Sequence, residues 1–283
     1  MRRAQKVKRT GRTPRDPSSP TTHTTRCVAG IVILVGLLST AVACSARIPP
    51  PLHAPPRTAI VTTAGPNQSM TYIARIEGGV MVIDLGWWGA EDALEDGLSE
   101  LGASPDDVIA VFITHAHRDH LGAWRTVRHA SFFLGKGDEE LLLGRERPGG
   151  WIPRWADRIR NRDLPKPGEL QLHTFASDTA MTLGADTVHA FPVPGHTPGS
   201  TAYLFRGTLF AGDAISHTPI SGFGPARRGY SDDAELAREA LVDLRTRLVD
   251  HEVQRICTAH GTCSEFSDEF WEDVLGDDAV EER

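Results

Sequence analysis

The sequence predicts an α/β fold, and three observations carry that reading. Short runs rich in β-branched and aromatic residues recur at 80–85, 108–113, 188–193, 201–205, 208–211 and 253–258. Two longer stretches carry apolar residues at helical spacing: Ala90, Ala93, Leu94, Leu98 and Leu101 in one, Ala237, Ala240, Leu241, Leu244 and Leu248 in the other. Residues able to hold a metal stand directly after several of the strand-like runs, where a rigid sheet mounts them.

Composition bounds the class. The chain has 283 residues, 40% hydrophobic and 24% charged, as in an ordinary soluble core, and no solenoid period is visible. The net charge of −7 hides a polarity, because residues 1–44 carry eight Lys or Arg against one Asp and so leave −14 for residues 45–283 by difference. An acidic body repels polyphosphate, so the expected partner is a small-molecule substrate and not nucleic acid.

Residues 1–26 form a basic n-region without apolar periodicity, which predicts disorder. Residues 27–44 are almost wholly apolar, the length of a signal h-region and slightly short for a spanning helix of ~20 residues. A lipoprotein, an uncleaved anchor and an ordinary cleaved signal all remain open, and each sets the following domain outside the cytoplasm, anchored by lipid or helix at the outer face of the cell membrane or secreted, since the basic flank stays inside. Residues 45–57 are a proline-rich linker that can form neither helix nor central strand. The catalytic domain is expected over 58–283.

That domain begins with strands at 58–64 and 70–76; Glu77-Gly78-Gly79 then turns the chain into 80–85, where Asp84 caps the strand end. The first amphipathic helix follows Trp87 and Trp88. The buried strand 108–113 runs straight into Thr114-His115-Ala116-His117-Arg118-Asp119-His120. On extended backbone His115 and His117 point the same way, because side chains alternate with period two, while the Asp119-His120 end can turn to a second point. The spacing suits two metals. Further candidates are His196 in Gly195-His196-Thr197-Pro198-Gly199-Ser200, Asp213 after 208–211 and His260 after 253–258. The acidic tail after Phe266 predicts a short helix with a solvated end.

Residues 114–120 resemble the H-x-H-x-D-H signature of the metallo-β-lactamase superfamily, and the segments at Asp84, His196, Asp213 and His260 resemble its other motifs, in order over residues 58–263. The resemblance implies a four-layer αββα sandwich. It implies that His115, His117 and His196 hold one ion, that Asp119, His120 and His260 hold another, and that Asp213 bridges both. Two Zn2+ per chain are implied, with a dinuclear-site hydroxide whose pKa falls toward ~7 cleaving an ester, thioester, lactone or amide. Asp119 and Asp84 are the carboxylates assigned to the chemistry, with Asp84 accepting from a ligand histidine and fixing its tautomer. A mononuclear iron dioxygenase of the same fold and a β-lactamase are the alternatives. Ala41-Val42-Ala43-Cys44 likewise resembles a bacterial lipobox, with Ala41 where Leu is preferred.

Residues 135–170 read as an insertion that the sheet does not need. Trp151 and Trp155, four apart on a helix, share a face, and Arg145, Arg147, Arg154, Arg158, Arg160 and Arg162 surround them. Either this is a substrate cover, with Trp87, Trp88, Trp151 and Trp155 as substrate contacts, or it is a surface helix whose tryptophans pack inward. Cys257 and Cys263 flank His260, as a disulfide or as two separate thiols.

Overall fold

The computed structural model describes residues 60–64, 69–159, 163–218 and 220–276. The n-region, the apolar segment with Cys44 and the proline-rich linker lie outside them, as do Arg160, Arg162 and the end of the acidic tail. All described residues fall within one compact unit, Pro49–Arg283.

Two six-stranded sheets form the centre. The first runs in the order β1 (Ile60–Ala64), β2 (Met70–Ile76), β3 (Gly79–Ile83), β4 (Val108–Ile113), β5 (Ser131–Gly135) and β6 (Gln171–Phe175). Its first two pairings are antiparallel, and β3 to β6 are parallel. The second contains β7 (Thr179–Leu183), β8 (Asp186–Pro192), β9 (Thr201–Phe205) and β10 (Thr208–Gly212), followed across the sheet by Arg255–Thr258 and Cys263–Glu265. A separate hairpin pairs β11 (Ile215–Thr218) with β12 (Gly222–Pro225), which makes the last two strands of the second sheet β13 and β14.

The period-two alternation of the strands builds three apolar layers. In β3 and β4, Val80, Val82, Val111 and Ile113 face outward, while Met81, Ile83, Ala110 and Phe112 face the second sheet. In β9 and β10, Tyr203, Phe205 and Phe210 return that contact, and Ala202, Leu204, Leu209 and Ala211 face out. Phe112 stacks on Phe133 at 4.8 Å and meets Tyr203 edge-on at 5.2 Å, which locks the two sheets together.

Helices close both outer faces. Helix α1 (Glu91–Glu100) buries Leu94 and Leu98 on the first sheet. Glu91 and Asp92 suit its N-terminal dipole, and Gly102, at φ 65°, ends it by donating to Ser99 O. Short helix α2 (Glu139–Leu142) and helix α3 (Trp151–Ile159) lie in the stretch read as an insertion. Helix α4 (Ala234–Arg247) is capped by Asp233, whose side chain accepts from Glu235 and Leu236 N–H, and buries Ala237, Ala240, Leu241 and Leu244 on the second sheet. Helix α5 (Asp268–Leu275) is the short helix read after Phe266, and it is also anchored: Phe270, Trp271, Val274 and Leu275 recur at i, i+1, i+4 and i+5 and are buried beside α4. The result is the αββα sandwich. No helix among the described residues is long and apolar enough to cross a membrane.

Candidate metal centre

Four of the strands that deliver the candidate residues pair in parallel within their sheets, β3 with β4 and β10 with β13. Their C-terminal ends therefore lie at common edges, where loops are free to carry function. Asp84 follows β3, residues 114–120 follow β4, Asp213 follows β10 and His260 follows β13. His196 sits in the turn after β8, which is closed by Val193 N–H donating to Ser200 O at 2.7 Å.

The imidazoles of His115, His117 and His196 converge. His115 Nε2 is 3.0 Å from His117 Nδ1, and His196 Nε2 is 3.1 Å from each of them. One shared proton satisfies only one pair, and the third lone pair then faces nitrogen. Burial pushes His117 and His196 down to about 3, with neighbouring histidines reinforcing it, and holds His115 well below its ordinary value, so the three rings are neutral at pH 7. A tetrahedral zinc site with bonds of ~2.1 Å separates its donors by ~3.4 Å, close to these spacings. The donor set fits a cation.

A second group lies beside the first. His260 Nε2 is 3.1 Å from Asp119 Oδ2 and 3.6 Å from Asp213 Oδ2, and Asp213 is also 3.7 Å from His196 Nε2. His115, His120 and Asp213 form one set of close donor atoms; Asp119, His120 and His260 form another. Burial opposes charge on His120, yet Asp84, Asp119 and Asp213 carry it up to about 10 in the metal-free protein. Desolvation would raise Asp119, but the His260 bond and the charge of His120 hold it well below the usual carboxylate range. Burial likewise opposes charge on His260, but Asp213 and the bond to Asp119 raise it.

Asp84 stands at φ 55°, a conformation Asp tolerates better than most side chains, and is 1% exposed. It accepts from Thr114 N–H at 2.8 Å, from Thr114 Oγ1 at 2.7 Å and from His120 Nδ1 at 2.9 Å. His120 Nε2 is then left buried with no hydrogen-bond partner, aimed where a cation would take its lone pair. Asp84 does not line the cavity; its contact with the site is through His120 Nδ1.

A cavity of about 430 Å³ opens over His117, Asp119, His196, Asp213 and His260. Its apolar wall is Trp87 with Pro148, Ile152, Pro153 and Ala156, and Arg118, Arg227, Ser216, His217 and Tyr230 add polar groups. Arg118 bridges two parts of this wall: it donates to Ala156 O at 3.2 Å and lies 4.9 Å from the Trp87 ring centroid.

The structure thus brings Asp84 and the seven candidate ligands together, with Trp87 at the rim. It does not bring in the other tryptophans: Trp88, Trp151 and Trp155 are 71%, 69% and 61% exposed and absent from the cavity lining. Helix α3 does cover the cavity, but through the opposite face, because Ile152, Pro153, Ala156 and Asp157 are half-buried there while Trp151, Arg154, Trp155 and Arg158 face out. The reading in which the tryptophans pack inward fails on the same exposures. Cys257 and Cys263 form a disulfide. Sequence reasoning missed Asp138, a buried carboxylate beside the histidine loops, and the hairpin residues Ser216 and His217.

A family model described as the metallo-beta-lactamase superfamily matches residues 64–250. The chain is similar to the uncharacterized protein YobT of Bacillus subtilis, 30% identical over 156 residues that cover 51% of this chain and 60% of that protein. It is similar to a hydroxyacylglutathione hydrolase of Synechococcus sp. (strain JA-3-3Ab), 33% identical over 42% of this chain and 38% of that enzyme. The match thus spans less than two thirds of either relative's length. Among solved structures, the BLEG-1 B3 metallo-beta-lactamase has a TM-score of 0.56 at 24% identity, covering 73% of this chain and 94% of that one. The metallo-beta-lactamase family protein TTHA1429 from Thermus thermophilus also gives 0.56, at 22% identity with 75% of each chain covered. At these identities the structural likeness speaks for the fold alone.

Proposed function

Because the chain belongs to the metallo-beta-lactamase superfamily, we propose that it is a zinc-dependent hydrolase that cleaves an ester, thioester, lactone or amide bond of a small molecule. The observation that carries the reading is the pair of three-residue donor groups, brought together by Asp213 beneath one cavity. In this reading His115, His117 and His196 would hold one ion and Asp119, His120 and His260 the other, with Asp213 available to both. When bound, such ions supply an acidified water and polarise the substrate's oxygen.

The chain's own residues do the rest. Asp84 keeps the Nδ1 proton on His120, so that Nε2 presents its lone pair. Asp119 lines the cavity as an ionised carboxylate, its orientation fixed by His260. Ile152, Pro153 and Ala156 exclude water along one wall, and Arg118 and Arg227 offer charge to an anionic substituent of the substrate.

Elemental analysis of protein purified without added metal should give two zinc per chain, whereas one iron per chain would sink the hydrolase in favour of an oxygenase. Against a panel of thioesters, lactones and β-lactams, His117→Ala and Asp213→Ala should abolish turnover with far-UV circular dichroism unchanged. The reading extends to place, with the apolar segment 27–44 tethering the domain at the outer face of a membrane. If Cys44 is the acylated residue, Cys44→Ser releases the protein or leaves it unprocessed without altering catalysis; an unchanged mass and equal membrane retention would instead mark an uncleaved anchor.

A further inference from the structure

Asp138 sits in the short turn after β5, 0% exposed, and is not among the residues that line the cavity. Its Oδ2 accepts from Ala116 N–H at 2.7 Å and from Thr197 Oγ1 at 2.8 Å, and its Oδ1 accepts from Gly199 N–H at 2.7 Å. Ala116 stands between His115 and His117; Thr197 follows His196. One carboxylate therefore bonds both loops that supply the all-imidazole group.

The surrounding backbone is built for this approach. A Cβ at Gly199 would lie 2.4 Å from Asp138 N, and one at Gly137 would lie 2.4 Å from the Pro198 carbonyl. The chain can bring Asp138 between the loops only because these positions lack side chains. The same arrangement pairs backbone donors at Ala116 and Gly199 that burial would otherwise leave unsatisfied.

We propose that Asp138 is a positioning residue that sets the spacing of the His115–His117 loop against the His196 loop and so preassembles that group for a cation. The proposal rests on the metal reading of the site given above. It assigns each donor group its own buried carboxylate: Asp138 for the three imidazoles, Asp84 for the group that contains His120. An amide cannot replace Asp138, because whichever oxygen became NH2 would face a donor it now accepts.

The test is titration of the metal-stripped full chain with Co2+ against a competing chelator, together with the gain in melting temperature that Co2+ confers. Wild type should bind in two steps. Asp138→Asn should weaken one step by about 10–100-fold, the range for residues that orient ligands, and shrink the Co2+-induced gain. Asp84→Asn should weaken the other step. Thr197→Val, which removes one bond of the three, should weaken the same step as Asp138→Asn by less, and it decides the matter if Asp138→Asn does not fold. A merely structural Asp138 would lower the metal-free melting temperature and leave both binding steps intact, which overturns the proposal. A wild-type chain that bound no Co2+ would remove the metal reading and this proposal together, whereas normal wild-type binding with unaltered variants removes this proposal alone.

Discussion

His120 donates through Nδ1 to Asp84 Oδ2 at 2.9 Å, which ties the loop after β4 to the residue that follows β3. Thr114 gives the same carboxylate its N–H and its hydroxyl. Asp84→Ala would strand three donors in a site where none can reach water. We expect a loss of about 3–5 kcal/mol, the range for removing one partner from a buried charged contact. Urea unfolding of the metal-free protein measures it, and a loss under about 1 kcal/mol would mean that the three donors find other acceptors.

Acid should unfold the metal-free protein early. His117 and His196 have folded values of about 3 and His115 lies well below its ordinary 6.5, so between about pH 6.5 and 3 the unfolded chain binds protons that the native chain refuses. Stability therefore falls as pH drops through that window. Asp138, pushed up to about 6 by burial, opposes the trend between its ordinary 3.8 and 6, and Asp232, also raised by burial, opposes it too, but as two groups against three. His120 and His260, with raised values, are protonated in both states there and contribute no slope. Each unopposed histidine adds at most ~1.4 kcal/mol per pH unit. Urea midpoints from pH 6 to 4 in the presence of a chelator should drop; a flat profile would contradict neutral buried rings.

Helix α3 presents two faces with different expected consequences. Trp151→Ala and Trp155→Ala, on the outward face, should leave KM within about two-fold, while Ile152→Ala on the cavity face should raise it several-fold with kcat nearly kept. Asp232 ties this cover to the His196 turn: its Oδ1 accepts from Gly149 and Gly150 N–H at 2.7 and 2.9 Å, and its own N–H donates to His196 O at 3.0 Å. Asp232→Ala should free the start of α3, raise KM and speed amide exchange at residues 149–156. A tryptophan variant that alone raised KM would return the substrate contact to the outer face.

The site was more legible than the sheets that hold it. Every candidate ligand follows a strand end or glycine turn, so local pattern marks it directly, and Val111 and Ile113 read as core because both faces of their strand are covered. Strand β7, Thr179–Leu183, was invisible because as an edge strand it alternates half-buried with exposed residues. Strand β5 was not read at all, and Asp138, three residues beyond its end, was taken into the supposed insertion that begins at residue 135. No periodicity marks a lone aspartate whose partners lie 22 and 61 residues away. The tryptophans were misplaced because spacing four apart says that two residues share a helix face, not which face; only packing decides that.

The last prediction concerns the loop that carries His260. Cys257 and Cys263 pair across β13 and β14 and are joined by a disulfide with a sequence separation of 6, so the bridge closes a loop containing His260. Closing so short a loop restricts the unfolded chain by about 2 kcal/mol in the chain-entropy account. Cys257 is 2% exposed in the layer between the sheets, so Cys263→Ser, which leaves that packing in place, is the cleaner variant. We expect it to lower the melting temperature by ~4–8 °C. It should also weaken cation binding at the Asp119, His120 and His260 group more than at the three imidazoles, because His260 alone among the six rides on this loop. Alkylation of the denatured, unreduced protein read at the Cys257 and Cys263 peptides is the check: free thiols at both would remove the bridge, and equal weakening of both binding steps would show that the loop does not tune His260.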